Sequence, residues 1–336
     1  MDVVKGEGTT ICWSDPDEMR EWFAGKDKGL RDKVMEMREA VKTFIKPGNS
    51  LMFGGFGYVR TPVAFVHEMI RQGIRDLKLL MVPDNYIYGL LLLAGASSEV
   101  ELAFTASLEV RGLLRGIRKL FETGKVKILS EWSLGSFQWR LRAAAMGIPW
   151  TPIRSLLGSD TFRKSAAMQV IDPMTGKPIT MVPACWPDVA VVHVHKADKY
   201  GNAQIIGPLM ADFNLVRAAK SLVIVTEELV SPEHVREEPW RTTIPHFLVD
   251  AVVVQPYGAH PTLMPTKYYW DEDHLYEFLK VTESEEGARE YIKKYILDSK
   301  DYWDYLENKV GLKKLKMLED IEEGFMEPEY PWVNRK

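Results

Sequence analysis

Three groups of residues in this chain have types and spacings suited to holding an anionic ligand or to acid–base work. GGFG at 54–57 follows the apolar run SLMF and precedes YVRTP, so a strand would end in a glycine turn just ahead of a helix. Gly54, Gly55 and Gly57, with Phe56 between them, would let the backbone turn sharply and approach a ligand. The helix start that follows offers N–H groups to an anion, and Arg60 adds a fixed charge beside it. The motif is neither G-x-G-x-x-G nor a P-loop. It reads equally as a tight strand–helix connection. Ser107 and Glu109 in TASLE, and Glu131 in SEWS, stand where further apolar runs end. Ser107 can hydrogen-bond a substrate, and either glutamate can act as an acid or base if its surroundings shift it. Each glutamate also reads as a solvated carboxylate at a helix N-terminus. Gly158 and Ser159, in LLGSD, form a turn that either caps a helix or binds an anion.

His193 and His195 lie two apart in the apolar run VAVVHVH, so both point to one face of a strand. A structural zinc site needs four ligands and a catalytic one three. The pair supplies two, and no H-E-x-x-H occurs. The expectation is a strand end with hydrogen-bonded histidines and no metal. His260, in PYGAHP, falls in a turn after another apolar run and reads as packed there.

The elements that must position these groups alternate along the chain. Apolar spacing predicts a helix over 31–46, a strand over 50–56, and a helix over 61–73 with Thr61 as N-cap and Pro62 as its first residue. Strands at 77–82, 100–107 and 126–132 alternate with helices around 85–95, 111–125 and 133–147. Apolar runs at 188–195, 221–229 and 250–256 follow, with DKYGN (198–202) as a hairpin connection. Short, unalternating apolar strands separated by helices specify an α/β fold: an open, mainly parallel sheet with helices on both faces and a helical C-terminal periphery. Residues 1–30 read as a partly irregular extension, 31–310 as the α/β domain and 311–336 as a helical or irregular tail. The groups at 54–57, 107–109, 131 and 256–261 all lie just past strand ends, where open α/β sheets bind ligands.

With 336 residues, 46% hydrophobic and 27% charged, the chain can bury a large core. A net charge of −4 lacks the basic footprint of a nucleic-acid partner. No apolar run is long enough to predict a membrane span. Cys12 and Cys185, far apart and without a secretory leader, read as reduced thiols of a cytoplasmic protein. The ten tryptophans suggest large buried surfaces, including a subunit interface.

Several segments taken in order resemble the family I CoA-transferases, and among them the α subunits of the glutaconate CoA-transferase type. They are GGFGYVRTP (54–62), FTAS (104–107), IRKLFETGK (117–125), AAAMGIPWTPI (143–153), DVAVVHVHKADKYGNAQIIG (188–207) and IPHFLVDAVVVQPYGAHP (244–261). The likeness runs from about 31 to 310. It implies a hetero-oligomer, α2β2, acting on acyl-CoA thioesters and dicarboxylic acids. Coenzyme A would be a substrate, with no tightly bound cofactor. In that family a β-subunit glutamate attacks the thioester, so this chain would supply half of the site. The resemblance implies that the turn at 54–57 polarises a carbonyl, that Arg60 pairs with a carboxylate, and that Gly158 and Ser159 line the pocket edge. The α chain of the steroid-ring-degrading hydrolases is similar too, and there an α-chain glutamate opens a ring of a CoA thioester; Glu109 and Glu131 are the residues for that role. A non-catalytic acyl-CoA-binding scaffold is the third reading.

Overall fold

The computed structural model describes residues 4–105 and 107–333; Ala106, within the run expected as the 100–107 strand, lies outside them. Numbered along the chain, the strands are β1 (Val4–Lys5), β2 (Ser50–Phe53), β3 (Leu77–Met81), β4 (Ser97–Leu102) and β5 (Lys127–Glu131). Next come β6 (Trp150–Ile153), β7 (Met168–Ile171), β8 (Pro178–Pro183) and β9 (Val189–Asp198). The last are β10 (Ala203–Gln204), β11 (Ser221–Val230), β12 (Thr242–Ile244) and β13 (Ala251–Val254).

Parallel pairing joins β5-β4-β3-β2-β9-β11-β13 into one sheet. The strands lack alternation because both faces are covered. Val189 and Val191 of β9 enter a core with the helix Val63–Arg71, whereas Ala190, Val192 and Val194 enter a second core with the helix Leu134–Ala145. β9 outruns its neighbour: Leu51–Phe53 of β2 pair with Val189–Val191, and farther on Lys196 and Ala197 pair antiparallel with Gln204 and Ala203 of β10. The DKYGN hairpin therefore stands as expected, and β12 extends this edge.

A second, antiparallel sheet of order β1-β7-β8-β6 had no counterpart in the sequence pattern. The N-terminal segment supplies its edge, with Val4 opposite Gln169, followed by a helix, Pro16–Gly25, capped by Asp15. From Val4 on this segment packs closely on the small sheet: a Cβ on Gly6 would strike the carbonyl of Ser165, so glycine permits the close docking. Beneath it Glu101 and Arg140, both fully buried, pair at 2.6 Å. Cys12 and Cys185 form a disulfide, with Cα atoms 4.8 Å apart, which corrects the expectation of reduced thiols. Unpaired cysteines therefore no longer point to a cytoplasmic setting.

Two helix starts also differ from expectation. Residues 33–35 run along β13, bonding through backbone to Lys199 and Val252, so that helix is only Met37–Phe44. The free edge of β13 takes a backbone partner in preference to one more helical turn. Thr61 does not cap the helix Val63–Arg71, because its hydroxyl is taken by Asp84. The C-terminal region is helical, and its helix Leu312–Glu322 buries Leu315 and Leu318. Among the described residues no helix is long and apolar enough to cross a membrane.

Candidate functional site

The carboxyl ends of the parallel strands meet at the turn after β2. Gly54 donates its N–H to Val191 O (2.9 Å), Phe56 to Val59 O (3.2 Å) and Gly57 to Pro83 O (2.7 Å). Gly55 donates to Asp212 Oδ1 (2.9 Å). All four amides are therefore used within the chain, which corrects the expectation that they are free to polarise a carbonyl. The turn is a rigid junction between strand ends. Its glycines are needed: a Cβ on Gly54 would strike Asp212, and one on Gly55 would strike the carbonyl of Val59. Gly55 and Gly57 have φ of +86° and +54°, and Tyr58 and Arg60 share that left-handed region at +67° and +58°. Non-glycine residues held there store strain, which collects at functional sites.

Arg60 is buried, and its Nη2 donates to Asp212 Oδ2 (2.6 Å) and Pro208 O (2.9 Å). It therefore does not reach out to a substrate carboxylate, as the sequence suggested; Asp212 has claimed it. Burial raises the Asp212 carboxyl, against the pull of Arg60. Gly54 and Gly55 are buried as well, whereas Phe56, Gly57 and Val59 are partly open.

The next strand ends close around this turn. Tyr58 donates its hydroxyl to Ser107 O (2.7 Å), and Asn85 Nδ2 donates to the same oxygen (2.8 Å). Ser107 Oγ accepts the N–H of Glu109 (2.9 Å), fixing the short turn Glu109–Arg111. Glu109 has φ +54°, is exposed, and lies over the turn: a Cβ on Gly57 would be 3.2 Å from its Oε1. No ion pair holds its carboxylate among the described residues. Arg111 anchors this turn through a bidentate pair with Glu272, both contacts 2.6 Å, and lies over the rings of Tyr58 and Trp270. Asp84, after β3, binds Thr61 and the N–H groups of Tyr86 and Ile87. Burial pushes its carboxyl up to about 6.

The other sequence-derived residues lie elsewhere or serve packing. Glu131, at the end of edge strand β5, accepts Lys164 Nζ (2.9 Å). Gly158 and Ser159 follow β6 of the small sheet; Ser159 caps Asp160–Arg163, and its bonds stay in that loop. The capping reading thus holds for Ser159. His193 Nε2 donates to Glu227 Oε1 (2.7 Å), which also accepts Tyr268 OH (2.5 Å). His195 donates Nε2–H to Pro265 O (2.9 Å) and accepts Ile206 N–H at Nδ1 (3.1 Å). Burial lowers it to about 4, so it stays neutral. His260 is packed between Tyr305 and Asp271. Among the described residues no group of three or more His, Cys, Asp or Glu is placed to hold a metal.

Sequence reasoning missed Asp212, Asp84 and Tyr58. Asp84 carried a usable signal: PDN follows an apolar run and opens a helix, an N-cap position. Asp212 carried none, because its partners Gly55 and Arg60 are some 150 positions away. Exposed apolar side chains flank the turn on both sides: Phe104, Val110 and Leu113 after β4, and Ile206, Met210 and Phe213 after β10.

Comparison with known families matches residues 34–255 to coenzyme A transferase. The chain is 49% identical over 329 residues to an uncharacterized protein of Archaeoglobus fulgidus, covering 98% of this chain and 74% of that protein. It is 31% identical over 306 residues to the A-type subunit of glutaconate CoA-transferase from Acidaminococcus fermentans, covering 86% and 95%. The crystal structure of that transferase superposes with a TM-score of 0.82 over 85% of this chain and 95% of the other, at 30% identity. A cholesterol ring-cleaving hydrolase IpdA subunit of Rhodococcus jostii is 30% identical over 283 residues, covering 81% and 94%.

Proposed function

The chain belongs to the coenzyme A transferase family, and from that premise we propose that it is the A-type half of a two-subunit enzyme moving coenzyme A between carboxylic acids. A partner subunit supplies the nucleophilic glutamate. Its carboxylate attacks the thioester carbonyl and expels the CoA thiolate, leaving an acyl-glutamyl anhydride. The thiolate then attacks the glutamyl carbonyl, releasing the first acid and leaving a glutamyl-CoA thioester. A second carboxylate accepts CoA by the reverse steps. Phe56, Gly57, Ser107 and Glu109 form the open surface this chain offers to that reaction, while Gly54, Gly55, Arg60 and Asp212 hold it from beneath.

One observation carries the reading. The strained turn sits at the meeting point of strand ends, with its amides satisfied, a carboxylate above it that no ion pair holds among the described residues, and apolar side chains on two sides. Such a rim marks a surface that a partner covers. Val110 is 78% exposed and Leu113 56%, next to Glu109. Co-expression with a B-type subunit of the same family, followed by a transfer assay with glutaryl-CoA and acetate, tests the proposal. Transfer dependent on both chains supports it. Absence of transfer with a panel of acyl-CoA donors and carboxylate acceptors refutes it.

A second reading has its own observation. Glu109, exposed in left-handed backbone and in no ion pair among the described residues, supports a role as an acid or base of this chain itself. A ring-opening hydrolysis of a CoA thioester would use it, as the likeness to the IpdA subunit suggests. Thioester consumption without transfer to any free acid, abolished by Glu109→Gln, would favour hydrolysis. In the transferase reading Glu109→Gln leaves transfer measurable.

A further inference from the structure

Arg111 fastens the far side of the turn that carries Glu109, and a segment distant in the chain closes over it. Tyr58 and Asn85 hold the start of the turn at Ser107 O. Of the described residues 109–113, only Arg111 is buried. The backbone bonds beyond Ser107 are local: Leu108 N–H to Gly112 O (2.8 Å), Arg111 N–H to Leu108 O (3.1 Å) and Gly112 N–H to Glu109 O (3.2 Å). Such bonds shape the turn but do not tie it to the body. The fork of Arg111 on Glu272 does, and each of these side chains is 6% exposed. The guanidinium faces three rings: Tyr58 at 5.7 Å, Trp270 at 5.6 Å and Trp332 at 5.4 Å. A cation this close to an aromatic face is attracted to it, and more strongly when water is kept out.

Two of the rings are tied to the site itself. Trp270 donates Nε1–H to Tyr58 O (2.8 Å), and Tyr58 donates its hydroxyl to Ser107 O (2.7 Å). The third ring comes from the segment 325–333, which follows the helix Leu312–Glu322. The middle of this segment is open: Met326, Glu327 and Glu329 are exposed, over a cavity of about 160 Å³ against Tyr269, Trp270 and Met317. Its grip lies farther on. The Tyr330 hydroxyl is 3.2 Å from that of Tyr269, and the rings of Tyr330 and Trp332 lie 5.3 Å apart. Val333 N–H closes a turn onto Tyr330 O (3.0 Å), which presents Trp332 to Arg111. Resting on the reading that the Glu109 turn faces the reaction, we propose that Trp332 is a positioning residue. It closes the third side of an aromatic box around Arg111, keeps water from the Arg111–Glu272 pair and so holds the Glu109 turn over Gly57. An ion pair opened to water loses most of its attraction, so the turn loosens when the segment lifts. The segment acts as a strap on the site.

Hydrogen exchange of the full chain, read by mass spectrometry, tests this. Trp332→Ala should speed exchange in peptides covering 108–112 about tenfold, with the midpoint of global unfolding unchanged. Trp332→Phe should restore most of the protection, since the cation needs an aromatic face. Phe325→Ala, at a position 75% exposed on the same segment, should change neither. In the two-subunit transfer assay Trp332→Ala should lower kcat/KM about tenfold, because a displaced turn misplaces the substrate, and Trp332→Phe should recover it. Unchanged exchange at 108–112 in Trp332→Ala overturns the proposal. So does a rise spread over the parallel sheet, which would make Trp332 plain packing, and so does a local rise with turnover unchanged. The exchange measurement needs neither partner nor substrate, so it stays readable if the transferase reading fails.

Discussion

The Arg60–Asp212 and Arg140–Glu101 pairs are both fully buried, each with a contact of 2.6 Å, but they differ in how completely they are satisfied. Glu101 also accepts the Ile11 N–H (2.5 Å) and Trp132 Nε1–H (2.9 Å). Arg140 donates to Thr10 Oγ1 (2.7 Å) and Pro183 O (3.1 Å) and lies over the Trp132 ring. That pair pins the N-terminal segment and the small sheet to the main one. Arg60, by contrast, leaves Nε and Nη1 without partners and sits in left-handed backbone. The strand-end pair pays for position with satisfaction and strain, as sites built for function do; the other is a well-satisfied structural clamp.

The largest expected effects come from breaking each pair in turn. Removing one partner of a buried pair costs about 3–5 kcal/mol, so Asp212→Ala and Glu101→Ala should each lower unfolding stability by that order in chemical denaturation. Only Asp212→Ala should also abolish transfer per folded molecule, because it releases Gly55 and Arg60. If Glu101→Ala is equally inactive per folded molecule, the distinction between clamp and site fails.

Reducing the Cys12–Cys185 disulfide comes next. It closes a separation of 173 residues, and such a link typically contributes about 2–4 kcal/mol. Cys12→Ser should lower Tm with kcat unchanged, since the bond belongs to the clamped region. A drop in kcat at constant stability would couple the two regions.

Asp84 gives a pH-dependent effect at the strand ends. Its folded pKa of about 6 lies above the ordinary value of 3.8. The folded chain therefore holds a proton that the unfolded chain has lost between about pH 4 and 6, and stability from this group falls as pH rises through that window. Asp84→Asn removes the loss. Its stability relative to the parent should increase by roughly 2–3 kcal/mol from pH 4 to 6 in urea titrations. A constant difference would place the carboxyl at an ordinary pKa. The smallest effect on stability should be that of Gly57→Ala, about 1–2 kcal/mol for a Cβ in left-handed backbone, with transfer slowed because that Cβ presses on Glu109.

Much of the parallel sheet was legible. Glycine stops such as Gly124 and Gly147, at φ +71° and +68°, and the Ser133 capping box mark helix ends by local chemistry. The gathering of strand ends around the glycine turn followed from that order. What stayed hidden was contact between distant segments. Neither Asp212 under Gly55, nor the docking of Val4–Lys5 on β7, leaves a periodic signal, because each depends on tertiary approach. Arg60 shows the same limit: its place beside the turn is legible, but its charge, free for a substrate on sequence grounds, is already taken by a buried carboxylate. The small sheet escaped notice because its strands are short and only partly buried.

The most direct test of the account is where coenzyme A becomes attached. The reconstituted two-subunit enzyme, incubated with an acyl-CoA donor and no acceptor acid, can be read by intact-mass and peptide mass spectrometry. The account predicts a CoA thioester on a glutamate of the partner subunit and an unmodified chain here. A CoA adduct on Glu109 of this chain would contradict it.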